Sequence, residues 1–318
     1  MFDTHIPRVQ EALTHASRIL VVSHVRPDGD AVGSVLGLGL SLQEAGKSVQ
    51  MVLNDGVPSN FGFLPGAEQV VRKPQGEIDL IIVVDCSDIQ RVGAALDGYG
   101  QPDINIDHHV TNLNFARINL VDAKAVSTTQ ILTEMIRKMQ LPLTQPAGMA
   151  LLTGLITDTL GFRTRNMTPK AIRLVADLME AGIDMPYLYE KSLMSKSYEA
   201  IRYWGCGLSQ LQRDGRIVWT SLKLDDRREI GYPGRDDADL INVLSKIKDC
   251  DIAVIFVEQP DHKIKVSWRA RPGFDTSKVA LSFGGGGHTA ASGAEIEGSL
   301  EEVQENVLRA TRALFNSK

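Results

Sequence analysis

Short, unbroken apolar runs that each end in a carboxylate or an imidazole constrain this chain more than any other feature. RILVVSH spans 18–24, IDLIIVVD spans 78–85 and DINID spans 103–107. Runs of this length suit strands covered on both faces, where side chains of both directions are buried. SVQMVL and ARINLV (116–121) read as further strands. Between the runs lie helical segments such as AVGSVLGLGLSLQEAG (31–46), which stops at Gly46. Alternating strand and helix predict an α/β fold with an N-terminal doubly wound, mostly parallel sheet. In such sheets ligands bind beyond the carboxyl ends of the strands. That is where the polar residues of these runs stand.

From Ser127 the pattern becomes helical, through STTQILTEMIRKMQ, PAGMALLTGLITDT and TPKAIRLVADLMEAG. Thr168 is a natural N-cap for the last, with Pro169 at its first position. A helix near 195–212 is expected to bridge to a second domain, because a new alternation begins at RIVWTSLKL (216–224). The expected domains are 1–190, 191–212 as helical linker, and 213–318, a smaller α/β domain with a mixed sheet. In the last, DADLINVLSKIKD reads as a helix, CDIAVIFVEQ and KIKVSWRAR as a hairpin around PDH, and SKVALSFGGGGH as closing into a glycine loop. SLEEVQENVLRATRALF reads as a final helix capped by Ser299.

The chain has 318 residues, 43% of them hydrophobic and 23% charged, which allows two ordinary globular domains. No apolar run approaches the ~20 residues that cross a bilayer, and the N-terminus lacks the apolar centre of a secretory signal. Cys86, Cys206 and Cys250 are odd in number and show no C-x-x-C spacing. They are expected to be free thiols in a reducing, cytoplasmic compartment. The net charge of −5 argues against a grip on long duplexes through many phosphates. A nucleic-acid ligand would be short, or held by a few local cations.

Four segments carry candidate chemistry. His24, Asp28 and Asp30 lie within seven residues after the first strand, where Pro27 and Gly29 interrupt regular structure and let polar side chains converge. Asp85 ends a buried strand, where a carboxylate is costly unless paired or metal-bound. Asp107, His108 and His109 follow another strand, and Asp158 lies near a helix end. Taken singly, each is also readable as a capping residue, a strand-end acceptor or a satisfied turn. Taken together, clustered carboxylates repel one another strongly without cations. Two divalent ions cancel four negative charges, and an ion pair is a standard device for phosphoryl hydrolysis. Oxygen and imidazole donors without thiolates favour manganese or magnesium over structural zinc; manganese is the expected metal, with magnesium or cobalt as alternatives. Near the C-terminus, Gly284 to Gly287 and His288 could bring backbone N–H groups close to an anion, with Arg269 as a phosphate fork. Arg271 reads as a surface cation. Tyr203 and Trp204 read as core or interface, and His5, His15 and His262 as surface residues.

In that order, HVRPDGDAVGS, IIVVDCSD, NIDHHVTN and ITDTLGF resemble the four motifs of the DHH phosphoesterase superfamily. SWRAR and GGGGHTAASGA resemble its DHH-associated domain, so the resemblance covers essentially the whole chain. Size and pairing are similar to its subgroup of short-RNA nucleases that also act as nucleotide phosphatases. The resemblance implies that His24, Asp28 and Asp85 hold one metal ion. It implies that Asp30, Asp85, His108 and Asp158 hold another, with Asp85 shared. Asp107 would orient ligands from behind, and His109 would meet the substrate phosphate. Arg269, Gly285, Gly286, Gly287 and His288 would bind the terminal phosphate, and Phe162 and Arg163 would border the nucleoside. The fourth motif departs by one residue. Leu160 precedes Gly161, where the family more often has glycine directly after TDT.

The implied activity is hydrolysis of short 5′-phosphorylated oligoribonucleotides to mononucleotides, and of 3′-phosphoadenosine 5′-phosphate to AMP and phosphate. The expected partners are short RNA and small nucleotides, with a homodimer allowed and no membrane. The rival readings are a cyclic or linear dinucleotide phosphodiesterase and a non-catalytic nucleotide sensor.

Overall fold

The computed structural model describes residues 2–316. The chain divides into two compact units, residues 1–195 and 196–318. The first begins with α1 (Phe2–His15), β1 (Arg18–Val22), α2 (Gly29–Glu44), β2 (Ser48–Val52), β3 (Leu80–Val84), β4 (Ile104–Asp107) and β5 (Ile118–Val121). It ends in helices α3 (Thr128–Lys138), α4 (Gln145–Asp158), α5 (Pro169–Glu180) and α6 (Met185–Tyr189).

The five strands are all parallel, in the order β2-β1-β3-β4-β5. The chain winds one way from β1 to β2 and the other way from β3 to β5. The reversal therefore lies between β1 and β3, and the loops leaving those two strands diverge and open a crevice. Alternation along β1 explains why the sheet has two cores. Ile19 and Val21 join the larger cluster with the helices, while Leu20 and Val22 join the smaller one with Ile81, Val83, Cys86 and Val92. The smaller side is covered by 3₁₀ turns over Ile89–Leu96 rather than by long helices. Helix α2 is buried over most of its length, as its apolar composition on all sides requires.

The second unit contains α7 (Tyr198–Ser209), β6 (Gln212–Asp214), β7 (Ile217–Leu222), α8 (Leu224–Ile230), α9 (Leu240–Leu244), β8 (Ile252–Gln259) and β9 (Lys263–Ala270). α10 (Thr276–Ser282), β10 (Gly286–His288), β11 (Ala291–Glu297) and α11 (Leu300–Asn316) complete it. Its sheet is mixed, in the order β10-β11-β9-β8-β7-β6, with only β7 and β8 parallel. Trp268 anchors its core and donates from Nε1 to Thr311 Oγ1 at 3.1 Å. Ser299 and Glu302 form a reciprocal cap at the start of α11.

Two sequence expectations change. The helix read as a linker, α7, packs inside the second unit: Trp204 Nε1 donates to Ala238 O at 3.0 Å and Tyr203 is fully buried. The helix read over 237–249 shortens to α9, because Ala238 and Asp239 before it and Asp249 after it all have left-handed backbones. Among the described residues, no helix is long and apolar enough to cross a membrane, and all three cysteines are free.

Candidate metal centre

The loop after β1 carries His24, which is 3% exposed. Its Nδ1 donates to Val25 O at 2.9 Å, which leaves Nε2 to face Asp85 Oδ2 at 3.6 Å. Asp28 caps α2: its Oδ1 accepts from Asp30 N at 3.1 Å and Ala31 N at 3.0 Å. The capping reading and the ligand reading are thus compatible, since one carboxylate oxygen serves the helix and the other is available. Asp30 lies in the first turn of α2 and is 1% exposed. It meets the N-terminus of α3, where Oδ2 accepts from Thr128 N at 2.6 Å and Oδ1 accepts from Thr129 N at 3.1 Å and Thr129 Oγ1 at 2.7 Å. A buried carboxylate is well placed there, because the unpaired N–H groups and the helix dipole both favour negative charge.

Asp85 follows β3 and is 2% exposed. Its backbone is left-handed, with φ of 52°, an unfavourable setting for a residue with a Cβ. The turn aims the carboxylate into the crevice: Oδ1 accepts from Thr128 Oγ1 at 2.9 Å and lies 3.8 Å from His108 Nε2. His108 Nε2 is also 3.6 Å from Asp158 Oδ2, at the end of α4. His24, Asp28 and Asp85 therefore form one group of ligand atoms, and Asp30, His108 and Asp158 another. The N···O separations of 3.6–3.8 Å are too long for hydrogen bonds. They are slightly wider than the ~3.0–3.5 Å between neighbouring donors around a cation with ~2.1 Å bonds.

Asp107 lies behind these atoms, fully buried. It accepts from His109 Nδ1 at 2.7 Å and from Asn112 Nδ2 at 2.6 Å. His109 Nδ1 is 3.8 Å from Asp85 Oδ1, so His109 lies beside the same carboxylate.

The electrostatics fit positive charge. Burial, then the charges of Asp85 and Asp158, push Asp30 well above the ordinary carboxylate range. Burial, with Asp85 and Asp28 adding and His108 opposing, raises Asp158 to about 7. Burial opposes ionisation of Asp85 too, but His24, His108 and His109 outweigh it and hold this carboxyl below its usual value. Burial disfavours the charged His109 ring, yet Asp107 and Asp85 lift it to about 9. Such carboxylates, crowded and desolvated, accept divalent cations readily. Cys86 does not contribute: it is buried in the smaller core, with Sγ donating to Asp88 O at 3.0 Å.

Sequence reading missed the residues that hold these groups in place. The helical pattern alone does not single out Thr128 and Thr129, although Ser-Thr-Thr at a helix start offers both hydroxyls and N–H donors. No sequence pattern marks Asn112 and Asn105 either; Asn112 Nδ2 bridges Asp107 and Asn105 Oδ1, the latter at 2.7 Å. After Asp158, Phe162 packs on the larger core and Arg163 Nε donates to Leu160 O at 2.7 Å.

In the second unit the expected glycine loop is an edge strand. Gly286, Gly287 and His288 pair with Gly293, Ser292 and Ala291. A Cβ at Gly287 would fall 2.6 Å from Ala291 O, and one at Gly285 would fall 2.2 Å from Gly293 O. The glycines therefore permit tight strand contact. Ala291 is the register partner of both His288 and Arg269, and Ala253 is the next partner of Arg269. Partners in one row point to the same face, so Arg269 and His288 flank a small alanine at about 10 Å from each other. Arg269 Nε donates to Asn242 Oδ1 at 3.2 Å. Burial holds Arg269 below its ordinary value, with Asp237 and Asp239 opposing.

Comparison with known proteins agrees with both units. The DHH family, N-terminal domain, matches residues 18–183, and the DHHA1 domain matches residues 229–317. The bifunctional oligoribonuclease and PAP phosphatase NrnA of Thermus thermophilus is 32% identical over 302 residues, 92% of this chain and 89% of that protein. The protein of the same name from Bacillus subtilis is 26% identical over 285 residues, 87% of this chain and 89% of that one. An exopolyphosphatase-related protein from Bacteroides fragilis superposes with a TM-score of 0.91 at 26% identity, covering 98% of this chain and 96% of that one.

Proposed function

The chain belongs to the DHH family, and from that premise we propose that it is a metal-dependent phosphoesterase. Its substrates are short 5′-phosphorylated oligoribonucleotides, cut to mononucleotides, and 3′-phosphoadenosine 5′-phosphate, cut to AMP and phosphate. One observation carries the reading. Carboxylates and imidazoles from four separate segments meet around Asp85, with N···O separations of 3.6–3.8 Å, at the point where the parallel sheet reverses its winding. Two relatives that match most of the chain bear the corresponding name.

In this reading His24, Asp28 and Asp85 hold one divalent cation and Asp30, Asp85, His108 and Asp158 hold a second, manganese in preference to magnesium or cobalt. The ions supply Lewis acidity and a lowered pKa for water. The chain's own residues do the rest. Thr128 and the start of α3 fix the Asp30 and Asp85 carboxylates, so that little rearrangement accompanies the reaction. Asp107, locked by Asn112, orients His109 through Nδ1. That leaves Nε2 to meet the substrate phosphate or to give a proton to the leaving oxygen. The row of Arg269 and His288 binds the terminal phosphate.

The test is manganese-dependent turnover of a 5′-phosphorylated diribonucleotide and of 3′-phosphoadenosine 5′-phosphate. The wild-type chain cleaves both, and Asp85→Asn loses about a thousand-fold or more on both, as expected when a shared ligand is neutralised. Near wild-type rates in Asp85→Asn would remove the metal assignment.

A further inference from the structure

Leu160 occupies a position whose backbone favours glycine. Helix α4 ends in a Schellman arrangement: Leu160 N donates to Thr157 O at 3.0 Å and Gly161 N donates to Ile156 O at 2.8 Å. The residue after the C-cap in this motif is left-handed and usually glycine, and here it is Leu160 with φ of 50°. A left-handed Cβ is unfavourable by about 1–2 kcal/mol. Packing within the chain does little to offset it. Leu160 is 46% exposed and stands outside the core that its neighbour Phe162 joins. The turn is also not free to relax. Gly161 and Phe162 are left-handed too, and the Tyr189 hydroxyl lies 2.4 Å from where a Gly161 Cβ would stand.

An exposed apolar side chain kept at a strained position suggests a contact outside the chain. Leu160 is two residues beyond Asp158, so the backbone places it within ~7 Å of that residue. A leucine beside a charged cage offers nothing to a phosphate. Its apolar surface suits an uncharged part of the same ligand. Resting on the nucleotide reading above, we infer that Leu160 is a specificity-determining contact for the nucleobase next to the phosphate held at the metal centre. A base laid against the side chain removes apolar surface of both from water.

Calorimetric titration with manganese present compares AMP with ribose 5-phosphate, which carries the phosphate and sugar but no base. The expected result is that Leu160→Ala weakens AMP about five-fold and leaves ribose 5-phosphate within two-fold. Leu160→Met, which keeps an apolar side chain of similar length, retains AMP affinity. Thermal unfolding of each variant checks that the fold is intact. Unchanged AMP affinity in Leu160→Ala overturns the inference, as does an equal loss on both ligands or a wild-type chain that does not bind AMP. The measurement needs no turnover. A chain that binds AMP in this pattern yet cleaves neither proposed substrate would overturn the catalytic reading and leave this one standing.

Discussion

Gly154 shows how closely single residues control the centre. It lies on α4 opposite Asp30, and a Cβ added there would fall 2.9 Å from Asp30 Oδ1 and 2.4 Å from Thr129 Cγ2. Both groups are buried and hydrogen-bonded to each other, so neither can give way easily. Gly154→Ala should therefore destabilise the chain by about 1–3 kcal/mol through overpacking. It should also displace Asp30 and weaken manganese binding at least ten-fold. Thermal unfolding with and without manganese measures both effects, and an undiminished manganese-induced shift in Tm would rule out the displacement. Asp85 obeys the same logic from the backbone side. Its left-handed turn sends the carboxylate into the crevice, while the next residue, Cys86, enters the core of the opposite face.

Among the elements, the pairing of β1 with β3 matters most, because the two strands carry the loops of His24 and Asp85. Asp79 ties their starting ends together. Oδ2 accepts from Ser17 N at 3.2 Å and Arg18 N at 2.8 Å, and Oδ1 accepts from the Arg18 guanidinium at 2.6 Å. The Arg18 side-chain bond first, and its backbone bond next, hold the Asp79 carboxyl at about 2. A folded value below the unfolded one stabilises the chain above the unfolded pKa of ~3.9, and the contribution fades as pH falls toward 2. Asp79→Asn should accordingly lower Tm slightly at neutral pH and flatten its fall between about pH 4 and 2. Denaturation curves across that range would show it, and parallel curves for the two proteins would exclude the linkage. Helix α3 holds the centre through its start, where Thr128 and Thr129 bind Asp30 and Asp85, and packs on the larger core through Ile131, Leu132, Met135 and Ile136.

For the whole molecule, the reading gives scission to the first unit and recognition of the terminal phosphate to the second. Arg269→Ala tests the division directly. It should reduce kcat/KM at least ten-fold for a 5′-phosphorylated diribonucleotide and far less for the same dinucleotide lacking that phosphate. Equal losses on both substrates would refute the anchoring role. The acidic net charge of −5 agrees with an anchor for one phosphate, because it argues against a grip on a long chain.

The sequence alone determined the strand and helix alternation, and with it the parallel sheet, because buried apolar runs and capped amphipathic segments are local patterns. It also marked the residues at the strand ends, since His24, Asp85 and His108 interrupt those patterns where a buried strand would otherwise continue. Only the tertiary structure decided what supports them. Thr128 reaches Asp85 across 43 positions and Thr129 reaches Asp30 across 99, partners that no local spacing encodes. It also turned the glycine run into an edge strand and moved α7 into the second unit. Both outcomes depend on surfaces assembled from distant parts of the chain, where packing overrides local preference.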